Sequence, residues 1–108
     1  MITKPSEVIF INENIEKEFT NLKESDEIKK FIKRAIEDLK QNAFVGIQIP
    51  KRLIPIGYIQ NYNVKNLWKY DLPDGWRLIY TIDSDKVKLL SIILEWFDHK
   101  EYERRFNY

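Results

Sequence analysis

The feature that most constrains the fold is a strand-like segment near the C-terminus, residues 87–97, which is apolar on both of its alternating faces. One face carries Val87, Leu89 and Ile93, and the other carries Leu90, Ile92 and Leu94. Successive side chains of a strand point to opposite sides of the sheet, so a strand with one solvated face alternates apolar with polar residues. We therefore expect residues 87–97 to form a central strand that is covered on both sides.

A second pattern predicts an amphipathic helix that follows an N-cap at Ser25. Its apolar residues recur at helical spacing and are Ile28, Phe31, Ile32, Ala35, Ile36 and Leu39. Its opposite face is predicted to carry Lys29, Lys30, Lys33, Arg34 and Lys40. Such a stripe is typical of a helix that packs one side against a core.

A shorter helix is predicted just before it, with Asn12 as its N-cap. Its apolar positions are Ile15, Phe19 and Leu22. Because only the tight link at residues 24–25 separates the two helices, they are predicted to form a helical hairpin.

The remaining segments are predicted from strand and turn signals. Residues 8–11 form a short strand, and residues 43–64, which contain two prolines, are extended or looping. Two further strands, residues 65–72 and 76–82, are joined by a turn at residues 73–75. A second turn at residues 83–85 leads into the last strand.

A C-terminal helix completes the order. Asp98, with Glu101 three residues later, is an acidic variant of the capping box that starts a helix. The sequence thus predicts a single α+β domain over residues 1–108. An N-terminal strand and a helical hairpin pack on an antiparallel β-sheet in the order β-α-α-β-β-β, and a short helix follows.

The composition excludes several kinds of site. The chain has no cysteine and one histidine, His99. The lack of cysteine excludes disulfide frameworks, thiol catalysis and cysteine zinc sites. With a single histidine, a histidine-based zinc site is not expected either. The N-terminus lacks the apolar core of a signal peptide, and no apolar run is long enough to span a bilayer. We expect a cytoplasmic protein with no membrane contact.

The net charge of +1 conceals an asymmetry along the chain. Residues 1–28 carry three Lys/Arg and seven Asp/Glu, residues 29–69 carry nine and two, and residues 70–108 carry six and eight. The basic middle third is typical of a surface that attracts a polyanion. The alternative is a solvated helix face with no such partner.

Four short motifs in this order resemble the RelE/ParE superfamily of toxins from toxin–antitoxin pairs. They are N-A-F-x-G at 42–46, G-W-R-L-I-Y at 75–80, I-L-E-W at 93–96 and D-H-K-x-Y at 98–102. The resemblance covers nearly the whole chain. It implies a small ribonuclease that cuts mRNA in the ribosomal A site and is silenced by a cognate antitoxin, as a possible homodimer or as a heterotetramer with the antitoxin.

The chemistry that the resemblance implies needs no metal and no cofactor. The ribose 2′-hydroxyl attacks the adjacent phosphate and leaves a cyclic phosphate. Such a reaction needs a base, an acid and a cation on the transition state.

Arg77 matches the arginine that faces the scissile phosphate in the family, and a guanidinium can hold two phosphate oxygens at once. The structural alternative for Arg77 is an ion pair with Glu95 or Glu103. Lys69 matches a phosphate-positioning lysine of the family, and the alternative for Lys69 is an exposed strand lysine that is only solvated. Where some relatives have a second lysine two residues further on, this chain has Asp71, which places an anion near the expected RNA path.

The resemblance places the remaining catalytic groups in the C-terminal helix. His99 is the expected acid or base, because only an imidazole titrates near neutral pH without help. Tyr102 is expected to be a base assisted by a cation, or a platform for a splayed-out nucleobase. A helix-start histidine with a purely structural role is the alternative for His99. Further phosphate contacts are expected from Lys65, Arg104, Arg105 and Lys33.

Two other functions remain open on the sequence. One is a non-enzymatic inhibitor of DNA gyrase of the ParE type, which acts through protein contacts alone. The other is a silent homologue that only binds its antitoxin, an interpretation favoured by Asp71 and by the near-neutral pI of about 7.9.

Overall fold

The computed structural model describes residues 3–84 and 88–106. It contains a five-stranded sheet with the spatial order β1-β5-β4-β3-β2. Strand β1 pairs with β5 in parallel, and the other three pairings are antiparallel. The strands are β1 Ser6–Phe10, β2 Ile47–Gln48, β3 Trp68–Asp71, β4 Arg77–Ser84 and β5 Leu89–Phe97. The α+β prediction is confirmed, with a short additional strand at the sheet edge and one parallel pairing.

Strand β5 lies between β1 and β4 and is covered on both faces, as predicted. On one face Ile93 packs with residues of the second helix, including Ile32 and Leu39. On the other face Leu94 packs with Tyr102 and residues of the last helix. We call these faces the α2 side and the α4 side. The predicted strand residue Val87 lies outside the described residues.

A β-bulge interrupts the alternation of β5. Ile79 pairs with Glu95 whereas Tyr80 pairs with Ile93, so Leu94 is an extra residue in β5. A bulge of this kind changes which face the following residues point to. As a result Leu94 and Phe97 both pack on the α4 side, and Glu95 reaches the last helix from β5.

The α2 side is covered by the predicted helical hairpin, which consists of α1 Glu13–Asn21 and α2 Glu27–Gln41. The Asn12 cap is confirmed, because its Oδ1 accepts a hydrogen bond from Ile15 N at 2.9 Å. The Ser25 cap is wrong by one residue. Asp26 Oδ1 accepts from Ile28 N at 2.9 Å and caps α2, since a carboxylate at this place also satisfies a free N–H.

Lys29 does not belong to the solvated face on which the helical pattern placed it. The residue is only 6% exposed, and its Nζ donates to Leu22 O at 2.9 Å and to Thr20 O at 3.3 Å. These are carbonyls at the C-terminal end of α1, where a helix leaves acceptors unpaired and favours positive charge. Lys29 therefore joins the two helices of the hairpin.

The α4 side is covered by α3 Ile56–Tyr62 and α4 His99–Phe106. The cap at Asp98 is confirmed, because its Oδ1 accepts from Glu101 N at 2.9 Å. The prediction that residues 43–64 are only extended or looping is wrong. This segment contains β2, a 3-10 turn at Lys51–Leu53 and the seven-residue helix α3. Helix α3 follows Pro55 and is capped at its C-terminal end by Asn63, which has a left-handed conformation.

The turn at residues 73–75 is confirmed as a 3-10 turn, with Asp74 and Gly75 at φ 61° and 79°. The turn predicted at 83–85 begins too early, because Asp83 and Ser84 still pair with Leu90 and Leu89 in the sheet. Asp85 lies outside the described residues. None of the helices in the described ranges has the length and apolarity that a membrane span requires.

Candidate functional site

The register of three strands brings the predicted site residues to one end of the sheet. Asp71 of β3 pairs with Arg77 of β4, and Arg77 pairs with Phe97 of β5. Helix α4 begins two residues after Phe97 and covers the same face of the sheet. Arg77 is therefore placed between an aspartate on one side and the start of α4 on the other.

Two cations meet against one buried aromatic ring. Lys69 Nζ lies 5.0 Å from the centroid of the Tyr102 ring, and Arg77 Cζ lies 5.4 Å from the same centroid. Both distances are within the range of cation–π attraction, about 0.5–2 kcal/mol per contact. Because Tyr102 is only 3% exposed, the ring serves as a rigid support for both charges. The structure thus brings together three of the candidate residues, Lys69, Arg77 and Tyr102.

Arg77 forms an ion pair, but not with either predicted partner. Its Nε lies 2.9 Å from Asp71 Oδ1, in a charge contact that does not have hydrogen-bond geometry, and its Nη1 donates to Trp76 O at 3.3 Å. Glu95 and Glu103 contact other residues. The Arg77 side chain is 17% exposed, so it is largely but not completely shielded from solvent. Asp71, the departure from the family pattern, is therefore the group that pairs with Arg77.

His99 lies at the same end of the sheet, in the first turn of α4. Its side chain is 56% exposed, and Nε2 lies 2.9 Å from Glu103 Oε1. The turn before Arg77 packs directly beside it, because a Cβ atom on Gly75 would lie 3.2 Å from the His99 Cβ. In the tautomer that carries its proton on Nε2, next to Glu103, the His99 Nδ1 atom has the lone pair that can accept a proton.

The two arginines of α4 are held by carboxylates. Arg105 donates through Nη1 to Glu95 and through Nε to Glu101 at 3.0 Å, and its guanidinium lies 4.9 Å from the Phe97 ring centroid. Burial by itself would lower the pKa of Arg105, but the hydrogen bonds to Glu101 and Glu95 raise it above its ordinary value. Arg104 is almost fully exposed and pairs with Glu101 at 3.2 Å.

The other two predicted phosphate contacts lie elsewhere. Lys33 is on α2, across the sheet from α4, and pairs with Glu24 at 2.8 Å. Lys65 precedes Asn66, whose side chain donates to Ile82 O at 2.7 Å near the far end of β4. Five residues of strand separate Ile82 from Arg77, which is about 17 Å. Neither lysine therefore reaches the group around Arg77.

The geometry adds two residues to the predicted set. Glu103 contacts His99, and this contact could have been predicted, because residues at i and i+4 of a helix lie on the same face. Asp71 holds Arg77, but this contact depends on the register of β3 and β4. Among the residues that the structure describes, no three acidic or histidine side chains are grouped closely enough to hold a metal ion.

The arrangement has the properties of an anion site. Lys69 and Arg77 carry two positive charges against one carboxylate, Asp71, at the end of the sheet where His99 is exposed. No protein-family model, curated protein or solved structure matches the chain. The RelE/ParE resemblance therefore stays a prediction from the sequence motifs.

Proposed function

We propose that this chain is a toxin of the RelE/ParE type that acts as a metal-independent endoribonuclease on mRNA in the ribosome. The observation that carries the proposal is the meeting of Lys69 and Arg77 on the Tyr102 ring, at the end of the sheet where His99 is exposed. The motifs that resemble the family contribute three of these four residues. A cognate antitoxin is the expected protein partner.

The proposed roles follow from exposure and charge. Arg77 and Lys69 bind the scissile phosphate and stabilise the negative charge that grows on it during attack. His99 accepts the proton of the attacking 2′-hydroxyl at Nδ1, and the departing 5′-oxygen takes its proton from water, while Glu103 fixes the orientation of the imidazole ring. Tyr102 is buried, so its role is to position the two cations, and it is not placed to stack on a base.

A second candidate, a silent homologue that only binds its antitoxin, is favoured by one specific contact. Asp71 already occupies Arg77, and a phosphate that binds the guanidinium must compete with this carboxylate. The site then has the arrangement of a nuclease site in which the Arg77 guanidinium is already paired. The two candidates differ only in whether RNA is cut.

The test is to add the protein to a cell-free translation reaction and to map the 5′ ends of the mRNA. The wild-type protein is expected to give cuts in phase with the codons, and Arg77→Ala is expected to lose them. Arg34→Ala is the matched control, because Arg34 is an exposed arginine of α2, on the opposite side of the sheet from α4. Arg77→Lys keeps the charge but not the two-pronged donor, so it is expected to keep the fold and lose most of the cutting.

Intact mRNA with the wild-type protein would reject the ribonuclease. If the same protein inhibits DNA supercoiling by gyrase, the ParE-type function replaces the ribonuclease as the correct interpretation. If it affects neither reaction but binds its antitoxin, the silent homologue is the correct interpretation.

A further inference from the structure

A pocket of about 200 Å³ lies between α3 and α4 against the bulged part of β5. It is separate from the group around Arg77. Its lining combines aromatic rings, an amide and an ion pair, and includes Gly57, Tyr58, Asn61, Tyr62, Glu95 and Arg105. Helix α3 supplies four of these six residues, and this helix was not predicted from the sequence.

The Tyr58 hydroxyl is a buried polar group that lies close to Glu95 and Arg105. Tyr58 is 4% exposed, and its hydroxyl makes no hydrogen bond of acceptable geometry with the described residues. Burial raises the pKa of Tyr58, and the nearby Glu95 carboxylate raises it further. The hydroxyl thus stays protonated and is available as a donor. Native proteins rarely leave such a group unpaired, so a ligand atom is a reasonable partner.

Gly57 is the second sign that the pocket is kept open. A glycine inside a helix is less stable than an alanine. At this position the backbone requires no glycine, because a Cβ atom would meet nothing closer than Asn61 Nδ2 at 4.0 Å. A side chain at position 57 would instead enter space beside Asn61, which also lines the pocket. The absence of a side chain at position 57 therefore leaves space in the pocket and does not stabilise the helix.

The charges around the pocket exclude a simple anion site. Arg105 is already paired with both Glu95 and Glu101, and Arg104 also pairs with Glu101, so these four side chains together carry no net charge. The ion pairs use Glu95 Oε1 and Arg105 Nε and Nη1, which leaves Glu95 Oε2 and Arg105 Nη2 without an ion-pair contact among the described residues. These two atoms are one acceptor and one donor on two side chains that line the pocket. Asn61 and Tyr58 add further donors and acceptors.

The size of the pocket restricts the ligand to a small, flat group. Pockets for drug-sized ligands have volumes of roughly 300–1,000 Å³, so about 200 Å³ suits a single ring system. The Tyr62 ring provides a surface for stacking, which is how proteins hold unpaired nucleobases. A nucleobase also has the mixed donors and acceptors that the pocket can satisfy.

We propose that this pocket binds one unpaired nucleobase, with guanine preferred. Guanine presents an acceptor at O6 beside the donors N1–H and N2–H. The acceptor matches the Arg105 guanidinium, and the adjacent donors match the Glu95 carboxylate. The proposal does not rest on the ribonuclease function, because binding of a base here requires neither His99 nor Arg77.

The test is a titration of the ¹⁵N-labelled protein with GMP, IMP and AMP, followed by NMR. These three probes carry the same phosphate, so differences between them report on the base. GMP is expected to shift the amide signals of Gly57 and Asn61 in a saturable way. IMP lacks the 2-amino group of guanine, and AMP lacks both the O6 acceptor and the N1–H donor. Each is expected to bind at least about fivefold more weakly than GMP, which is the effect of losing one hydrogen bond.

Two variants and a control make the result specific. Gly57→Leu fills the pocket and is expected to abolish the GMP shifts, whereas Gln60→Leu, on an exposed position of the same helix, is expected to keep them. Tyr58→Phe is expected to weaken GMP binding without lowering the folding stability, because it removes an unsatisfied hydroxyl. Equal binding of GMP and AMP, or unchanged GMP binding by Gly57→Leu, overturns the proposal.

A further titration separates the two sources of the base. If a single-stranded tetranucleotide with one guanine binds more tightly than GMP and Arg77→Ala removes the gain, the base belongs to an RNA chain that crosses both sites. If the tetranucleotide and GMP bind equally, the pocket takes a free nucleotide. Either result leaves guanine recognition intact even if no mRNA is cut.

Discussion

Asp71→Asn is the substitution that tests most directly how the anion site works. The change keeps the size of the side chain but removes the negative charge that lies 2.9 Å from Arg77 Nε. If Arg77 binds phosphate, the carboxylate competes with the ligand in the wild-type protein. We therefore expect Asp71→Asn to bind single-stranded RNA more tightly and not less tightly.

The size of the effect follows from the geometry. A phosphate oxygen on the same guanidinium would lie about 5–6 Å from the Asp71 carboxylate. The repulsion between two unit charges at this distance is about 0.75 kcal/mol in water and about 3 kcal/mol at an effective dielectric constant of 20. Asp71 is 49% exposed, so a value near the lower limit, about 1–1.4 kcal/mol, is appropriate. This corresponds to about a five- to tenfold gain in affinity.

The assay is fluorescence anisotropy of labelled single-stranded RNA at low ionic strength, repeated over a range of salt concentrations. Asp74→Asn is the matched control, because it makes the same charge change in the adjacent turn, and asparagine tolerates the φ of 61° at that position. If Arg77 gains a full phosphate contact, the plot of log K against log salt should steepen by about 0.7. An equal gain in both variants, or no gain in Asp71→Asn, would refute the reasoning.

Two further predictions concern stability. The buried Tyr80 hydroxyl donates to Ala43 O at 2.8 Å and accepts from Gly46 N at 3.1 Å. Tyr80→Phe should therefore lower the free energy of unfolding, measured in urea, by about 2–4 kcal/mol. A loss below about 1 kcal/mol would contradict these two hydrogen bonds. Hydrogen bonds from Lys29, and to a lesser extent from Lys33, lower the pKa of Glu24 to about 2. The ionised Glu24 carboxylate therefore contributes its full stabilisation of the fold above the ordinary pKa of 4.5, and this stabilisation is lost as the pH falls toward 2. Glu24→Gln should therefore be less stable than wild type at pH 6, and the difference should shrink by pH 2.5. A difference that stays constant over this range would show that the carboxylate charge does not contribute.

The features that were predicted correctly depend on residues near one another in the chain. The caps at Asn12 and Asp98 each involve a backbone N–H three residues away. The apolar residues on both faces of residues 87–97 predicted the layers on both sides of β5. Ser25 and Asp26 are both suitable caps, and the sequence pattern does not locate the start of a helix to a single residue. The structure shows that Asp26 is the cap.

Helix α3 was missed because its own signals are weak. It has seven residues, includes Gly57 and follows a region rich in prolines. Its stability comes from tertiary packing, in which the Tyr58 ring lies 5.9 Å from the Phe106 ring of α4. Short helices are marginal without such contacts. The pocket that α3 forms with Arg105 could not be predicted for the same reason.

By itself, the sequence determined the α+β order, the covered central strand and the candidate residues Lys69, Arg77, His99 and Tyr102. Only the tertiary structure decided their partners. The strand register paired Arg77 with Asp71, and the bulge at Leu94 turned Glu95 toward Arg105. Periodicity reports which residues share a face of their own element, because it reflects local backbone geometry. The partner of a charge depends on how separate elements are aligned, and a shift of one residue in a strand moves a side chain to the other face.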